Sequence, residues 1–572
     1  MRKLLFLISL LAFTGVNAQQ WGLYTLYSAK GTDKVYLVDT NGVVFKTWTF
    51  PIDQKTCFSS YLTRGDTLYR TVIYQGMVIT GGPISGETQK VDWNNNVVWD
   101  FIYSDSNYVS HHDICPMPNG NVLLLSIDVK TPAQVTQAGS ATHIERYFEK
   151  IIEVHPTGPT TGNIVWEWDL WNHVCQNYDQ TKNNYVTSIV QNPQLIDFNY
   201  RPGQDFMHLN GIDYNVALDQ ITFSSLKYNE IYVVDHSTTT AEAAGHIGGN
   251  SGHGGDIIYR WGNPAAYGAP GTANFDMVHD AHWVPADDPY YPNCLSGVNN
   301  SGGLGNKTCI DIFCPPYNGY NYSWTPDSAY APSTYAWRYN STMWTSNEGS
   351  SQQLPNGNTL ICMSFRDTIF EIDHSGNILW SMNANGAVSM AFRYSKCFIR
   401  GPIAKASATA TNINSGKPIT LTSSATSVTE TNPSYTYSWS SIPPGFTSTD
   451  QNPNLSPDST AIYMVTITDT TLGCSDTASV KVQVKGTQGI NDVGNNNEVL
   501  EVYPNPTTGI VNISGALLND QDYGITVSDA NGKIVMKLSN TPKLDFTGLA
   551  RGIYFMSVKT RNSKILNFKV VY

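Results

Sequence analysis

The sequence predicts an all-β protein, a β-propeller followed by two small β-sandwich domains. Three observations predict it. The first is composition: of 572 residues only 14% are charged, while 14 Trp, 33 Tyr and 20 Phe supply residues that favour pleated, half-buried surfaces. The second is a unit that recurs between residues 20 and 400: an acidic or polar residue, a turn, and a β-rich run ending in aromatics. The third is a change of character beyond residue 400, where Thr and Ser dominate and apolar residues alternate with polar ones.

The elements follow in chain order. Arg2 and Lys3 precede an apolar run from Leu4 to Phe13, and Val16-Asn17-Ala18 offers small residues for cleavage. This is the pattern of an export signal over residues 1–18, with the mature chain starting at Gln19; the competing reading, a membrane anchor, needs a longer run. No later segment reaches the roughly 18 apolar residues of a membrane span, so no transmembrane segment is expected. Export permits disulfides, and the nine cysteines leave at least one unpaired; Cys294, Cys309 and Cys314 cluster where a staple is plausible, with the pairing open.

Residues 19–400 carry the repeat. One element reads Val38-Asp39-Thr40-Asn41-Gly42-Val43-Val44-Phe45 and returns at 91–99, 162–166, 255–261 and 372–380, each copy expected as a hairpin. A second reads Pro118-Asn119-Gly120-Asn121 and again Pro355-Asn356-Gly357-Asn358. Recurring units of four short strands point to propeller blades, with a long insertion expected from Cys294 to Trp337. Glycine-rich Gly248–Asp256 reads as a loop. Residues 401–486 suggest a PKD- or immunoglobulin-like β-sandwich, 487–497 a linker, and 498–572 a further β-rich unit.

The formal net charge of −12 argues against a nucleic-acid partner, which would need a basic face. No Walker A, CxxC or HExxH pattern occurs, and no cofactor is expected. The histidines are more informative. His112 lies six residues before Pro118, His279 six before Pro285, and His208 six before Tyr214; the fourth copy has Gly349 at that offset. Equivalent positions of the innermost strands surround one axis, so these three imidazoles are expected to converge. Neutral imidazole is a nucleophile and general base, and imidazolium stabilises anions and protonates leaving groups. Three imidazoles can also hold zinc. However, His279 and His282 are three apart and on a regular strand point to opposite faces, so no metal site is expected.

Those residues carry a family resemblance. His111-His112-Asp113-Ile114, His208-Leu209-Asn210-Gly211-Ile212-Asp213, Gly255–Pro264, His279-Asp280-Ala281-His282-Trp283 and Leu354–Leu360 resemble the exported arylsulfate sulfotransferases, a six-bladed propeller family. The resemblance implies transfer of a sulfuryl group from an aryl sulfate donor to a phenolic acceptor, without a nucleotide donor, through a sulfated histidine. It implies His279 as nucleophile, His112 and His208 as its supporting catalytic histidines, and Asn210 as a contact to the sulfuryl group, with His111 and His282 beside them. One departure stands out. Where the family carries Arg in a Ser-Ser-Arg context, this chain has Ser224-Ser225-Leu226-Lys227. Lys227 is a point charge and lacks the bidentate fork; Arg366, from another repeat, is the candidate substitute. The alternative reading is a non-catalytic propeller that binds glycans, phenolics or a protein partner. The N-terminal dimerisation domain of some family members is not seen, which leaves the oligomeric state open.

The C-terminal unit, with Tyr503-Pro504-Asn505-Pro506-Thr507, Asn531-Gly532-Lys533, Leu549–Tyr554 and Lys569–Tyr572, resembles a type IX secretion sorting domain. The resemblance implies the type IX secretion machinery as a partner and a secreted or cell-surface location.

Overall fold

In a computed structural model, the structure describes residues 22–572 apart from 66, 82–83, 431, 486–499, 506, 508, 516–521, 530–532 and 561–564. The expected export signal and linker, and Pro506, Asn531 and Gly532 of the tail motifs, lie outside the described residues.

Among the described residues, six four-stranded antiparallel sheets follow one another from Tyr24 to Tyr394. Each is a blade whose strands step outward from the axis. The innermost strands of blades 2 to 6 are Thr56–Thr63, Tyr108–Pro116, Leu209–Asn215, Val278–Trp283 and Ser350–Gln353. Blade 1 is composite. Its outer three strands are Tyr24–Tyr27, Lys34–Asp39 and Val44–Thr49, and its innermost strand, Ala391–Tyr394, comes from the far end of the propeller. Pairing the two ends in one sheet closes the ring and leaves no open edge between first and last blades.

A ring of tryptophans joins the rims of the blades. Trp48 Nε1 donates to Asp92 O, Trp99 to Thr161 O, Trp166 to Thr238 Oγ1, Trp261 to Pro332 O, Trp337 to His374 O, and Trp380 to Thr40 O. Each donor sits on a fourth strand and each acceptor on or beside the next blade, so the aromatics ending each repeat are the inter-blade contacts. The acidic residue of the repeat caps its own turn: Asp39 Oδ1 accepts from Asn41 and Val43 N, Asp92 Oδ1 from Asn96 N, and Asp373 Oδ1 from Asn377 N.

Two expectations are corrected. The copy at 255–261 is not a hairpin: the third strand of blade 4, Glu230–Asp235, is followed by a long excursion through a short helix, Thr240–Ala243, before the fourth, Tyr259–Trp261. The span from Cys294 to Trp337 is not wholly an insertion, because Leu295–Asn299 and Cys309–Phe313 are the middle strands of blade 5. Five-residue strands with Ser, Gly and Asn among them carry too little apolar periodicity to be read as strands. Cys294 pairs with Cys314 across these two strands, and Cys309 stays free.

The chain divides into two compact units, the first taking residues up to 409 with 420–453 and 462–480, the second 410–419, 454–461 and 481–572. Beyond the propeller, the first unit holds antiparallel pairs, residues 403–408 with 421–426 and 435–442 with 462–469, burying Trp439, Val465 and Ile467. The Cys397–Cys474 disulfide ties the helix Lys396–Arg400, just after the closing strand, to this region. In the second unit, a three-stranded and a four-stranded sheet between Glu501 and Val571 enclose Val511, Ile525, Val527, Leu544, Met556 and Val558. Among the described residues no helix is long and apolar enough to cross a membrane.

Candidate active site

The innermost strands are irregular where they carry the histidines. Ladder register slips between Ser110 and Ile114, between Leu209 and Gly211, and between His279 and His282. His112, His208, Asp280 and Glu348 have positive φ, between 47° and 58°. Bulges of this kind re-aim side chains. On a flat strand His111 and His112 would face opposite ways; with His112 in the left-handed region, their Nδ1 atoms lie 2.8 Å apart.

The distorted strands are pinned to one another. Asp113 accepts from Ile212 N of blade 4, Asp213 from Trp283 N of blade 5, and Asp280 from Ser351 N of blade 6. Asn210 is fully buried: its Oδ1 accepts from Ser224 Oγ of its own blade, which fixes the amide, and its Nδ2 donates to Val278 O, joining blade 4 to the residue before His279. A Cβ on Gly211 would meet Ala281 N at 2.7 Å and Asp280 Cα at 2.9 Å, so only glycine permits this approach of the two blades.

His112 and His208 stand side by side, and His279 is near enough to both for their charges to interact; each of the three is tied through Nδ1. Asn300 donates from Nδ2 to Thr345 O and Glu348 O, which fixes its amide and leaves Oδ1 to accept from His279 Nδ1 at 2.7 Å. His279 is therefore the Nδ1–H tautomer with a bare Nε2. His111 donates from Nε2 to Glu149 Oε2 at 2.9 Å, so its Nδ1 accepts from His112. His112 Nε2 is left buried with no partner. The ring of His208 stands edge-on to that of His112 with centroids 4.7 Å apart, and its Nδ1 is bonded to Asp205. Burial, reinforced by His208, His111, His279 and Lys30, pushes His112 well below the ordinary imidazole range. Burial likewise pushes His279 down to about 4, against the support of Asn300. Both rings are neutral at neutral pH.

His111, His112 and His208, though not His279, line a cavity of about 120 Å³ together with Glu149 and Asp205. A neighbouring cavity of about 480 Å³ shares Thr80, Gly81 and Ile84 with it and is lined by Lys30, Cys57 and Glu348. Lys30 pairs with Glu348 and is close enough to His112 to depress it. Sequence reasoning missed Lys30, Glu348, Glu149, Asp205 and Asn300. Two carried a signal: Asp205 lies three residues before His208, and Glu348 directly precedes Gly349, the position that replaces histidine in the fourth copy.

The other expected residues fall elsewhere. His282 lines a separate cavity of about 280 Å³ farther along the same strands, with Asp113, Asp213 and Asp280. Burial opposes its charge, but the Asp280 carboxylate and Gln353 prevail and raise it to about 9. Lys227 is exposed in the turn after Ser225, its charge near enough to Asp205 to help hold that carboxyl low. Arg366 is exposed, donates from Nε to Trp344 O at 2.9 Å, and lines neither histidine cavity.

The fold is a closed propeller with buried imidazoles near its axis, and comparison with known proteins shows what it is similar to. Residues 14–242 match the model of the arylsulfotransferase (ASST) family, and residues 501–571 match that of the secretion system C-terminal sorting domain. The first of these matches supports a sulfotransferase-type enzyme in general, and the type IX sorting domain directs the chain to the cell surface or outside. No curated protein matches it. Among solved structures, a protein of unknown function from Bacteroides caccae is 9% identical, with coverage of 65% of this chain and 98% of that one and a TM-score of 0.36. The Pseudomonas aeruginosa periplasmic gluconolactonase is 10% identical, with 81% and 97% coverage and a TM-score of 0.32. A virginiamycin B lyase from Staphylococcus aureus is 7% identical, with 81% and 92% coverage and a TM-score of 0.27. Likeness at this level carries no functional argument.

Proposed function

We propose that the protein moves a sulfuryl group from an aryl sulfate ester to a phenolic acceptor, without a nucleotide donor, through a sulfohistidine at Nε2 of His279. The observation that carries this reading is the fixed tautomer: Asn300 holds the Nδ1 proton, and burial keeps the ring neutral with its Nε2 lone pair bare.

In the first half-reaction Nε2 attacks sulfur, the N–S bond forms and the S–O(aryl) bond breaks. The aryloxide leaves with the electron pair and takes a proton from solvent, a fair departure for a phenol of pKa near 10. Lys30 and His208 face the sulfuryl oxygens and hold their charge, in place of the family's arginine. In the second half an acceptor phenol attacks sulfur and gives its proton to the unpartnered His112 Nε2, the N–S electron pair returns to His279, and His112 releases the proton to solvent, which restores the starting state. The signal at residues 1–18 delivers the chain to the periplasm before type IX export, and residues 19–400, 401–486 and 498–572 act as enzyme, spacer and sorting domain.

The test is mass spectrometry of the mature protein after brief exposure to p-nitrophenyl sulfate. The expected result is a gain of one sulfuryl group on the peptide holding His279, absent in His279→Ala. Undiminished turnover by that folded variant removes the assignment.

A further inference from the structure

We infer that His173, His246 and Asp256 form a binding site for one divalent transition-metal cation of the zinc class, separate from the axial histidines. Among the described residues these three are the one group of histidine, cysteine and acidic side chains with ligand atoms all within 4.8 Å of one another.

The hydrogen-bond geometry turns three ligand atoms toward one point. His173 Nε2 is 2.8 Å from Ala243 O, and a carbonyl only accepts, so Nε2 carries a proton and Nδ1 is the ring atom turned to Asp256. That Nδ1 stands 3.1 Å from Asp256 Oδ1, on a fully buried ring. His246 Nδ1 approaches the same Oδ1 at 2.7 Å. A cation at the focus of the three atoms takes all of them as ligands. The Nε2–H to carbonyl bond is also the outer contact that orients metal-binding imidazoles.

The distances agree. Metal–ligand bonds of about 2.0–2.2 Å in a tetrahedron separate neighbouring ligand atoms by about 3.3 Å. His173 and Asp256 already stand close to that spacing. His246, whose side chain is 59% exposed, is free to adjust its position toward that spacing. Two nitrogens and one oxygen suit zinc and its neighbours better than calcium, which takes oxygens. Three protein ligands leave one position for water.

The site has a mechanical role. His173 ends the single helical turn after the fourth strand of blade 3, with Trp168 stacked against it at an interplanar angle of 3°. His246 and Asp256 bracket the glycine-rich loop, whose ends approach through Gly255 N to Gly245 O. A Cβ on Gly255 would sit 1.9 Å from Ala243 O and 2.7 Å from His173 Nε2, so the loop packs directly on the site. The metal fastens this loop to blade 3.

The experiment uses the untagged full chain, stripped with a chelator and titrated with Zn²⁺ by calorimetry, with Co²⁺ as a spectroscopic probe. Expected are one high-affinity metal assigned to this site and a Co²⁺ visible band of low coordination number. His246→Ala should weaken binding at least about tenfold and lose the band, and Asp256→Asn should act alike. His279→Ala should leave both unchanged. Melting curves in chelator establish that the variants fold, and the exposed His246 substitution decides the matter if Asp256→Asn does not. Binding that His246→Ala leaves intact, binding lost in His279→Ala instead, or no stoichiometric uptake overturns the inference.

Discussion

At the scale of single residues, the site depends on which nitrogen of each ring holds a proton. His279 works only as the neutral ring, and burial lowers its pKa to about 4. A nucleophile depressed to that degree is active above its pKa, so kcat/KM for the aryl sulfate donor should stay flat from pH 8 to about 5. It should then fall about tenfold per unit below 4. Asn300→Asp puts a carboxylate beside Nδ1, favours the imidazolium and moves the falling limb to higher pH; an unmoved limb would assign it to another group. Lys30 is the cation that stands closest in role to the missing arginine. Lys30→Met should lower kcat/KM for the donor about 10²-fold, and Lys30→Arg should restore much of it, read from nitrophenol release. Of this chemistry, the three histidines were legible because they recur at one repeat offset. Their tethers were not, because Glu149, Asn300 and Lys30 come from other strands or blades and share no spacing with them.

At the scale of elements, the distortions of the innermost strands place the chemistry. A regular strand through His111 and His112 would point one ring away from the axis; the left-handed His112 keeps both in one network. The strand through His279 and His282 is itself irregular, with its register slipping between the two; His282 lines the cavity with Asp280, while His279 is bonded to Asn300. What the pattern could not show is how tightly blades 4 and 5 approach at Gly211. Its absent Cβ leaves room for the backbone of Asp280 and Ala281, which follow the proposed nucleophile. Gly211→Ala should therefore force that strand outward. The expected cost is about 1–3 kcal/mol of stability together with a fall in kcat larger than any change in donor KM. Denaturation and steady-state kinetics on the same sample check both, and an alanine variant with wild-type kcat would mean that the approach does not position His279.

At the scale of the whole molecule, the ring closes by hydrogen bonds and is then locked by a covalent tie. Trp380 to Thr40 and the pairing of Ala391–Tyr394 with Tyr24–Tyr27 join the last blade to the first. The aromatic ends of the repeat announced the blades, but no local pattern announced that the first blade borrows its inner strand from some 360 residues away, since such pairings leave no period in the sequence. Just beyond that strand, Cys397 bonds to Cys474, 77 residues on, whereas Cys294–Cys314 closes only 20 within blade 5. If constraint of the unfolded chain dominates, the longer loop stabilises more: about 4 kcal/mol against about 3 kcal/mol for the shorter. Cys474→Ser should then lower stability more than Cys314→Ser in denaturant titrations under non-reducing conditions. The longer bond also holds the segment that closes the ring, so its loss should let proteases cut near residue 400 while the Cys314→Ser protein stays intact there. Equal losses, or cleavage confined to the Cys314→Ser variant, would show that the tryptophan ring and the shared sheet alone keep the propeller shut.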